Sequence, residues 1–585
     1  MKARRLLSFI PLPNWLRAYS PEQLPDDLAA GFITAALLIP QGIAYAILAG
    51  LPAEVGLYAS IVPPVVYALL GSSRTLSVGP VSVAALLVAD ALATGGTVRG
   101  GADYLVDAML LAALSGVMLL AMAALRLGFL VNFISHPVLS GFTSGAAVLI
   151  ILSQLDNLTG MGMPSTGSGF DMVGGALRQF SGLHFPTLLV GGSAFVALLL
   201  CKAPLVHGLR RLGMTVRRAA LISRTGPLLV LVVLTMTVVL FDLHDHGVAI
   251  VERIPAGLPT FTLAFLNADR MLPLLAPAFL IALIGYVESV SVAKVLGYRR
   301  REKIDSDREL AALGGANLAA AFAGGMPVAG GFSRSMVNYA AGARTQLATI
   351  VAALLVALAA LFFTSAFFYL PTAALAAIII LAVAPLFDWR GAMRTFRYDR
   401  ADAAALLITF VGVVAIDIEV GLSLGVAIAI VVFLWRSSRP HLAVVGRLAG
   451  TEHYRNVERY QVTTWPELLL LRVDRSLFFA NVNYVEDAVA HAAAAQPELK
   501  HLVIICSAVN AIDHSAVEAL GQLSSNLRAA GITLHLAEVK GPVMDRLKRS
   551  KLIEQLAPGQ VFLSTQAAVE RLAGDSEQGK VNGEW

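Results

Sequence analysis

Long apolar stretches, separated by short polar or charged segments, occupy the chain up to about Trp435. A helix rises about 1.5 Å per residue, so roughly 20 apolar residues cross a hydrocarbon core of about 30 Å. Four of the apolar stretches reach that length, and the others are 13–16 residues long. The pattern therefore predicts membrane-spanning helices near residues 28–48, 55–70, 104–125, 133–155, 188–200, 227–241, 274–296, 310–322, 348–363, 370–385, 403–416 and 420–435.

Two further apolar segments are shorter, and each follows a stretch that contains Gly and Pro. One comes after Gly79-Pro80 and continues only to about Leu92, and the other runs from Phe332 to Gly342. Helices this short begin inside the bilayer, where their first N–H groups have no backbone partner. Such helix N-termini carry positive partial charge and bind anions. Because paired short segments in the two halves of a chain indicate a transporter's binding site, we predict that these N-termini form one.

Beyond about Arg447 the pattern changes to alternating strand and helix signals. It predicts strands at 468–473, 477–479, 502–506 and 533–536, and helices at 482–495, 516–530 and 543–550. This alternation indicates a small α/β domain with helices packed on a sheet. We therefore divide the chain into an N-terminal lead-in (1–26), a transmembrane transporter domain (27–436), a cytoplasmic domain (437–575) and a disordered tail (576–585).

Composition and charge support a polytopic membrane protein. Hydrophobic residues make up 57% of the chain, charged residues 14%, and the mean hydropathy is +0.72. Lys and Arg concentrate in the segments 202–224, 299–308 and 390–400, a bias that is typical of cytoplasmic loops and not of a nucleic-acid-binding surface. We expect both termini to be cytoplasmic and the protein to lie in a plasma membrane such as the bacterial inner membrane.

The two cysteines lie far apart and predict no metal site, and no phosphate-binding loop or cofactor motif occurs.

Glu288 is the acidic residue deepest inside a predicted span. A carboxylate at bilayer depth costs about 2.5–3.5 kcal/mol, so it is retained by facing a cavity, pairing with a cation or carrying a proton. Arg334, beside Ser333 at the start of the second short helix, is the natural cation. Two interpretations stay open: Glu288 is a coupling group, or it forms a structural ion pair with Arg334.

The first span is interrupted at Pro40, next to Gln41 and one turn before Tyr45. Proline removes a backbone donor and frees a carbonyl, so this break indicates either a polar site or a simple kink. We interpret His136 as a residue that marks the beginning of a span.

Five other polar positions have simple interpretations. Asp417 and Glu419 are predicted to be solvated charges between the last two spans, and Asp90 to be a water-accessible charge near the outer end of the first short helix. In the C-terminal domain, Asp513 and Ser515 precede a predicted helix, where either is a good N-cap. The alternative is a regulatory phosphorylation or docking loop.

Several stretches together resemble the sulfate permease (SulP) family, also called SLC26. They are LIPQGIAYA at 38–46, GLYAS at 56–60, SVGP at 77–80 and GFSRS at 331–335, while Asp513-x-Ser515 resembles the STAS domain that closes such proteins. The resemblance covers nearly the whole chain. It implies fourteen membrane segments in two inverted repeats of seven, a core domain that moves against a gate domain, and usually a homodimer. Family members carry sulfate, bicarbonate, chloride or dicarboxylates.

The resemblance also implies roles for individual residues. Glu288 matches an acidic position linked to cation coupling, and Val292 occupies the place of a second acid that would help to hold sodium, which favours protons. His514 stands where the family usually has a hydroxyl residue, next to Ser515, the candidate regulatory site. The residues implied to line the substrate site are Gln41, Tyr45, Val81, Phe332, Ser333 and Arg334.

We therefore expect a secondary active transporter, not an enzyme, that takes up sulfate or a similar small anion with protons by an elevator-like alternating-access movement. A bicarbonate or dicarboxylate carrier of the same family and an anion channel remain alternatives. A carrier of neutral substrates such as nucleobases is a further alternative, although Arg334 at the site argues against it. A protein that serves as a membrane-anchored platform is the last alternative. In the last case the C-terminal domain recruits cytoplasmic partners.

Overall fold

The computed structural model describes residues 14–17, 19–94, 101–132, 135–163, 168–201, 203–266 and 268–573. The first half of the predicted lead-in and the predicted tail at 576–585 lie outside the described residues. The chain divides into two compact units, one ending at Ala429 and the other beginning at Ile430.

The first unit is almost entirely helical. After a helical turn at Asn14–Arg17, its α-helices in chain order are α1 (Leu24–Leu48), α2 (Ala53–Tyr58), α3 (Val62–Leu70), α4 (Ser82–Thr94), α5 (Ala102–Ala124), α6 (His136–Thr159), α7 (Gly169–Arg178), α8 (Phe185–Leu200), α9 (Ala203–Arg211), α10 (Val216–Leu240), α11 (Ala268–Arg300), α12 (Ser306–Phe322), α13 (Phe332–Ala341), α14 (Leu347–Phe362), α15 (Thr372–Val383), α16 (Trp389–Tyr398), α17 (Arg400–Ala415) and α18 (Ile418–Ser438), which continues into the second unit. Short 3₁₀ helices lie at Pro21–Gln23, Leu127–Asn132, Phe180–Gly182, Thr364–Phe367 and Ala384–Leu386, and two short strands at β1 (Val78–Gly79) and β2 (Ala329–Gly330). Helix α7 lies between two predicted spans, where the sequence analysis predicts no helix, and is an addition to the expected elements.

Among the described residues, seven helical segments are individually long and apolar enough to cross a membrane: Pro21–Leu48, Ala53–Leu70, Ala102–Ala124, His136–Thr159, Asp269–Arg300, Thr372–Tyr398 and Ile418–Ser438. A bent pair, Phe185–Leu200 with Pro204–Arg211, adds an eighth. The remaining predicted segments are shorter helices, including α4, α13 and α14. A helix or helix pair thus lies at each of the fourteen predicted positions.

The helices of the first unit pack in two groups. Helices α1–α5 and α11–α14 pack on one another and form what we call the core group. Helices α6–α10 and α15–α17 form the gate group. Glycine allows the close contacts inside the core group: a Cβ on Gly56 would lie 1.9 Å from the carbonyl oxygen of Gly42, and one on Gly116 would lie 2.9 Å from that of Gly314. Small residues at such crossings are typical of helix packing in membranes.

The second unit contains a six-stranded sheet covered by helices. Its strands are β3 (Leu442–Arg447), β4 (Tyr454–Asn456), β5 (Leu468–Val473), β6 (His501–Ile505), β7 (Thr533–Ala537) and β8 (Val561–Phe562), in the spatial order β4-β3-β5-β6-β7-β8. Strands β5 to β8 are parallel, and β3 is antiparallel to both of its neighbours. The helices are α19 (Val482–Ala494), α20 (His514–Ala529), α21 (Gly541–Arg549), α22 (Leu552–Leu556) and α23 (Thr565–Leu572). The predicted α/β domain is confirmed.

One local prediction is wrong. The segment 477–479 is not a strand, since only Leu477 forms an isolated bridge, with Ile512. Asp90 and Asp417, predicted to be water-accessible, are half-buried, and their side chains are hydrogen-bonded to each other. A three-residue apolar run has too little periodicity to separate a strand from a buried turn, and sequence spacing could not show that these two carboxyl groups meet.

Candidate functional site

The two predicted short helices begin side by side. Strands β1 (Val78–Gly79) and β2 (Ala329–Gly330) precede α4 and α13 and form an antiparallel pair. Each of these two-residue strands breaks an otherwise helical region, as the Gly and Pro residues around it predict. The pairing brings together the N-termini of two helices that are about 250 residues apart in the sequence.

Each short helix presents N–H groups that precede its first helical hydrogen bond. In α4 the Ala85 N–H donates to the Val81 carbonyl at 3.0 Å, and in α13 the Ser335 N–H donates to the Gly331 carbonyl at 3.0 Å. Gly331, the N-cap residue of α13, has no side chain that could accept from the groups before Ser335. The positive ends of both helices are therefore available to an anion.

These helix ends face a cavity of about 960 Å³ that lies between the core group and the gate group. The core-group wall contains every residue that the sequence assigns to the site: Gln41, Tyr45, Val81, Glu288, Phe332, Ser333 and Arg334. Ser333 and Phe332 are exposed to the cavity, and Gln41 and Tyr45 are largely buried. The structure thus brings all seven residues together, while their binding roles stay a prediction.

The gate-group wall comes from α6, α8, α10 and the end of α15. It contains His136, Leu139, Ser140, Thr143, Leu198, Cys201, Ser223, Pro227, Ile378, Leu381, Ala382, Pro385, Leu386 and Asp388. His136 begins α6, as the sequence predicts, but it also lines the cavity. Its closeness to the site could not be predicted, because no periodicity links one helix group to the other.

Arg334 is buried between the two extended strands and is 2% exposed. Its Nε donates to the Ser77 hydroxyl at 3.1 Å, Nη1 donates to the Pro80 carbonyl at 3.0 Å, and Nη2 donates to the Ser77 carbonyl at 3.3 Å. A Cβ on Gly79 or on Gly331 would lie 3.2 Å from Nη2, so both glycines leave room for the guanidinium. Arg334 therefore supplies positive charge and also joins the second half-site to the first.

Three further polar side chains hold the segment before β1. The Ser335 hydroxyl accepts from the Ser77 N–H at 2.9 Å, and the Asn338 amide donates to the Thr75 carbonyl at 3.1 Å. The Gln346 amide donates to the carbonyls of Ser73 and Leu76 at 2.8 and 2.9 Å. The sequence analysis does not assign this role to Asn338 and Gln346. A signal for it exists, because a buried amide side chain in apolar surroundings needs hydrogen-bond partners.

Glu288 lies on α11, next to the residue that holds β2. The Ser289 hydroxyl accepts from the Gly330 N–H at 2.7 Å, which fixes this part of α11 against the site. Glu288 and Arg334 interact electrostatically, yet in the described part of the chain no ion pair within 4.0 Å joins them. The interpretation of Glu288 as a structural ion pair therefore loses support, because the arginine donors serve Ser77 and Pro80.

In the second unit, Asp513 is the N-cap of α20, and its carboxylate accepts from the Ala516 N–H at 2.9 Å. Ser515 lies in the first turn of this helix and is exposed. The cap interpretation is thus correct for Asp513. A regulatory role of Ser515 stays a prediction.

One group of metal-ligating residue types lies away from the cavity. Ligand atoms of Asp242, His244 and Asp245 lie within 4.8 Å of one another in the connection after α10. Both aspartates are exposed, and the His244 ring packs edge-on against Tyr369 at 5.2 Å. Exposed acidic groups often gather in this way without a metal ion, so the group does not define a site.

The chain is similar to two protein families and to several known transporters. The model described as "Sulfate permease family" matches residues 24–409, and that of the STAS domain matches residues 459–568. "Probable sulfate transporter 4.2" of Arabidopsis thaliana is 35% identical over 96% of this chain and 83% of its own length. "High affinity sulfate transporter 2" of Stylosanthes hamata is 32% identical over 96% of this chain and 85% of its own length.

The fold is similar to those of two solved transporter structures. The murine anion transporter Slc26a9 in the inward-facing state superposes with a TM-score of 0.86 at 22% identity, over 97% of this chain and 94% of that one. The transmembrane domain of the cyanobacterial bicarbonate transporter BicA superposes with a TM-score of 0.57 at 21% identity, over 70% of this chain and 98% of that one. At these identities the likeness is one of fold. The family model and the relatives above 30% identity carry the assignment: this chain belongs to the sulfate permease family and ends in a STAS domain.

Proposed function

We propose that the protein is a secondary active transporter that takes up sulfate or a similar small anion together with protons. The observation that carries the proposal is the meeting of two helix N-termini, Arg334 and Glu288 at one cavity. The relatives named as sulfate transporters support the choice of sulfate among the anions.

Anion binding follows from the chemistry of the core-group wall. The N–H groups at the beginnings of α4 and α13 replace water around the anion, and the hydroxyls of Tyr45, Ser82 and Ser333 lie in the same wall. Arg334 adds a full positive charge in surroundings of low dielectric, where it acts more strongly than in water. No single group here binds covalently, so the anion can leave again.

Proton coupling is assigned to Glu288. A protonated Glu288 adds no negative charge beside the bound anion, whereas an ionised one opposes a dianion electrostatically. Binding of anion and proton together is then favoured over binding of either alone. The other titratable groups that face the cavity are Tyr45 and Arg334 from the core group and His136, Cys201 and Asp388 from the gate group.

Glu288→Gln tests this assignment in proteoliposomes that contain the full-length protein. We expect uptake of radiolabelled sulfate to lose its dependence on an inward pH gradient, while exchange of internal for external sulfate persists. His136→Gln is the matched comparison, since this residue lines the same cavity from the opposite wall. Unchanged pH coupling in Glu288→Gln, or its loss in His136→Gln instead, would refute the assignment.

We further propose that the core group moves against the gate group, with the anion carried on the core-group wall. Spin labels at the exposed positions Tyr298 of α11 and Tyr398 of α16 would report the distance between the groups. Addition of sulfate at low pH should change the distance distribution of this pair. A pair within the core group, at Tyr298 and Leu125, should show no change. If the distance distribution changes for neither pair of labels, or for both pairs, the core group does not move as a unit against the gate group.

The resemblance to the family supports a homodimer with cytoplasmic termini in a plasma membrane, and we include both in the proposal. Cross-linking in native membranes tests the dimer, and protease access to the C-terminal domain in sealed vesicles tests the orientation.

A short dicarboxylate is the second candidate substrate. The cavity of about 960 Å³ is larger than a small inorganic anion requires, and an extended dianion could bridge the two helix N-termini. Competition of a panel of unlabelled anions against radiolabelled sulfate distinguishes the candidates. Stronger inhibition by a dicarboxylate or bicarbonate than by sulfate itself would change the substrate assignment.

A further inference from the structure

A second cavity, of about 610 Å³, lies at the opposite end of α13 from the anion site. It is lined by Gln23, Asp26, Arg74, Arg300, Glu302, Tyr339, Ala340, Gly342 and Arg344, all within the core-group part of the chain. Ala340 also lines the larger cavity, so the two cavities adjoin along one face of α13. We call the second cavity the arginine cavity.

The three arginines of this cavity are only partly matched by carboxylates. Arg74 lies 3.6 Å from Glu302, and Arg344 lies 3.2 Å from Asp26. The side chains of Arg74 and Arg344 are 43% and 61% exposed. With three cations against two carboxylates, the lining carries an excess of positive charge.

Arg300 is held differently from the other two arginines. Its guanidinium donates to the carbonyls of Ala343 and Arg344, just after α13, and lies over the Tyr339 ring at 5.1 Å. Positive charge at a helix C-terminus offsets the negative end of the helix dipole. An anion that leaves the substrate site along α13 therefore does not meet an uncompensated negative helix end, which would repel it.

We propose that the arginine cavity is a second, weaker site for the transported anion, through which the anion passes between the substrate cavity and the solution. The proposal rests on the anion transport proposed above. The neighbouring carboxylates limit the affinity, and an anion in transit needs a site that it can leave. Exposed guanidinium groups of Arg74 and Arg344 bind sulfate by paired hydrogen bonds.

A cysteine at Ala340, on the shared wall, measures the local potential without any need for transport. The background variant is Cys201→Ala, because Cys201 lines the larger cavity while Cys506 is buried. In Ala340→Cys, we expect an anionic methanethiosulfonate reagent to react faster than a cationic one, and inorganic sulfate to slow both. Arg74→Gln and Arg344→Gln together should lower this rate ratio several-fold and raise the half-protecting sulfate concentration several-fold, since both guanidinium groups line the same cavity as Ala340.

The matched control is Arg299→Gln, a neighbouring exposed arginine that does not line the cavity. It should leave the rate ratio and the sulfate protection unchanged, and Arg344→Lys should restore most of the ratio. An equal effect of Arg299→Gln, no charge preference at Ala340→Cys, or no reaction with either reagent would overturn the proposal. Because labelling is read on the purified full-length protein, failure of sulfate transport would refute the proposed function without affecting this test.

Discussion

Replacement of Arg334 tests the logic of the anion site most directly. The buried guanidinium donates three hydrogen bonds, to the hydroxyl and carbonyl of Ser77 and to the carbonyl of Pro80. A lysine at this position keeps the charge, but it carries all its donors on one nitrogen and cannot reach the same set of acceptors. A glutamine is neutral and has two N–H donors. The two variants therefore separate the charge of Arg334 from its role in joining the half-sites.

The expected effects on stability and affinity follow opposite orders. A hydrogen bond from a charged donor contributes about 1.5–3 kcal/mol, and a buried charge that loses partners costs more than a neutral amide. The free energy of unfolding should thus fall from wild type to Arg334→Gln and further to Arg334→Lys, the latter by about 3 kcal/mol. Two opposite unit charges about 5 Å apart attract each other by about 3 kcal/mol at an effective dielectric constant of 20, and the attraction for a doubly charged sulfate is larger. Sulfate affinity should therefore decrease from wild type to Arg334→Lys and then to Arg334→Gln, by at least roughly 100-fold in the last case.

Thermal unfolding of the purified full-length protein measures the order of stabilities, and binding of radiolabelled sulfate to the same protein measures the order of affinities. The exposed Arg299, substituted by Lys and by Gln, provides the control and should change neither quantity. If Arg334→Lys is as stable as wild type, the guanidinium does not join the half-sites. If Arg334→Gln retains sulfate affinity within about threefold, the charge is not what holds the anion.

Three further predictions concern the surroundings of the site and the C-terminal domain. Gly331→Ala places a Cβ 3.2 Å from the Arg334 guanidinium and should weaken sulfate binding about tenfold with little loss of stability, whereas Gly174→Ala, with nothing within 4 Å, should change neither. Glu309 is fully buried and accepts four hydrogen bonds, so Glu309→Gln should lower the free energy of unfolding by about 2–4 kcal/mol. An unchanged melting temperature of this variant would contradict the prediction. Burial lowers the pKa of His535 to about 4, while an unfolded histidine titrates near 6.5. The unfolded chain therefore binds more protons between these values, and protection of β7 from hydrogen exchange should weaken by about 1–2 kcal/mol from pH 7.5 to 4.5, but not in His535→Gln.

The sequence alone predicted the helices well, because apolar length and Gly/Pro breaks are local properties of the chain. The predicted beginning of α13 at Phe332 and the predicted end of α1 at Leu48 agree with the structure. The short helices were found for the same reason, since a Pro or Gly at the break acts on its own segment. Segment 477–479 failed because its apolar run was too short for a period to be read.

The contacts that build the site were less accessible to sequence reasoning. Gln346 donates to carbonyls that lie 273 and 270 residues earlier, and no local pattern encodes such a partner. The placement of Arg334 was predicted as a source of charge, yet its hydrogen bonds to Ser77 and Pro80 depend on the pairing of β1 with β2. His136 was missed as a cavity residue because it belongs to the other helix group.

The two walls of the cavity differ in a way that bears on how the protein works. The core-group wall is held by directional hydrogen bonds from buried side chains such as Arg334 and Asn338, and each bond broken would leave a buried polar group unpaired at a cost of about 1–3 kcal/mol. The gate-group wall is largely apolar, with side chains such as Leu198, Ile378 and Leu381. Apolar contacts are non-directional, so one set can be exchanged for another at little cost. A movement that exposes the cavity alternately to the two sides should therefore keep the core-group wall intact and slide it along the apolar wall, with the bound anion remaining at the helix N-termini.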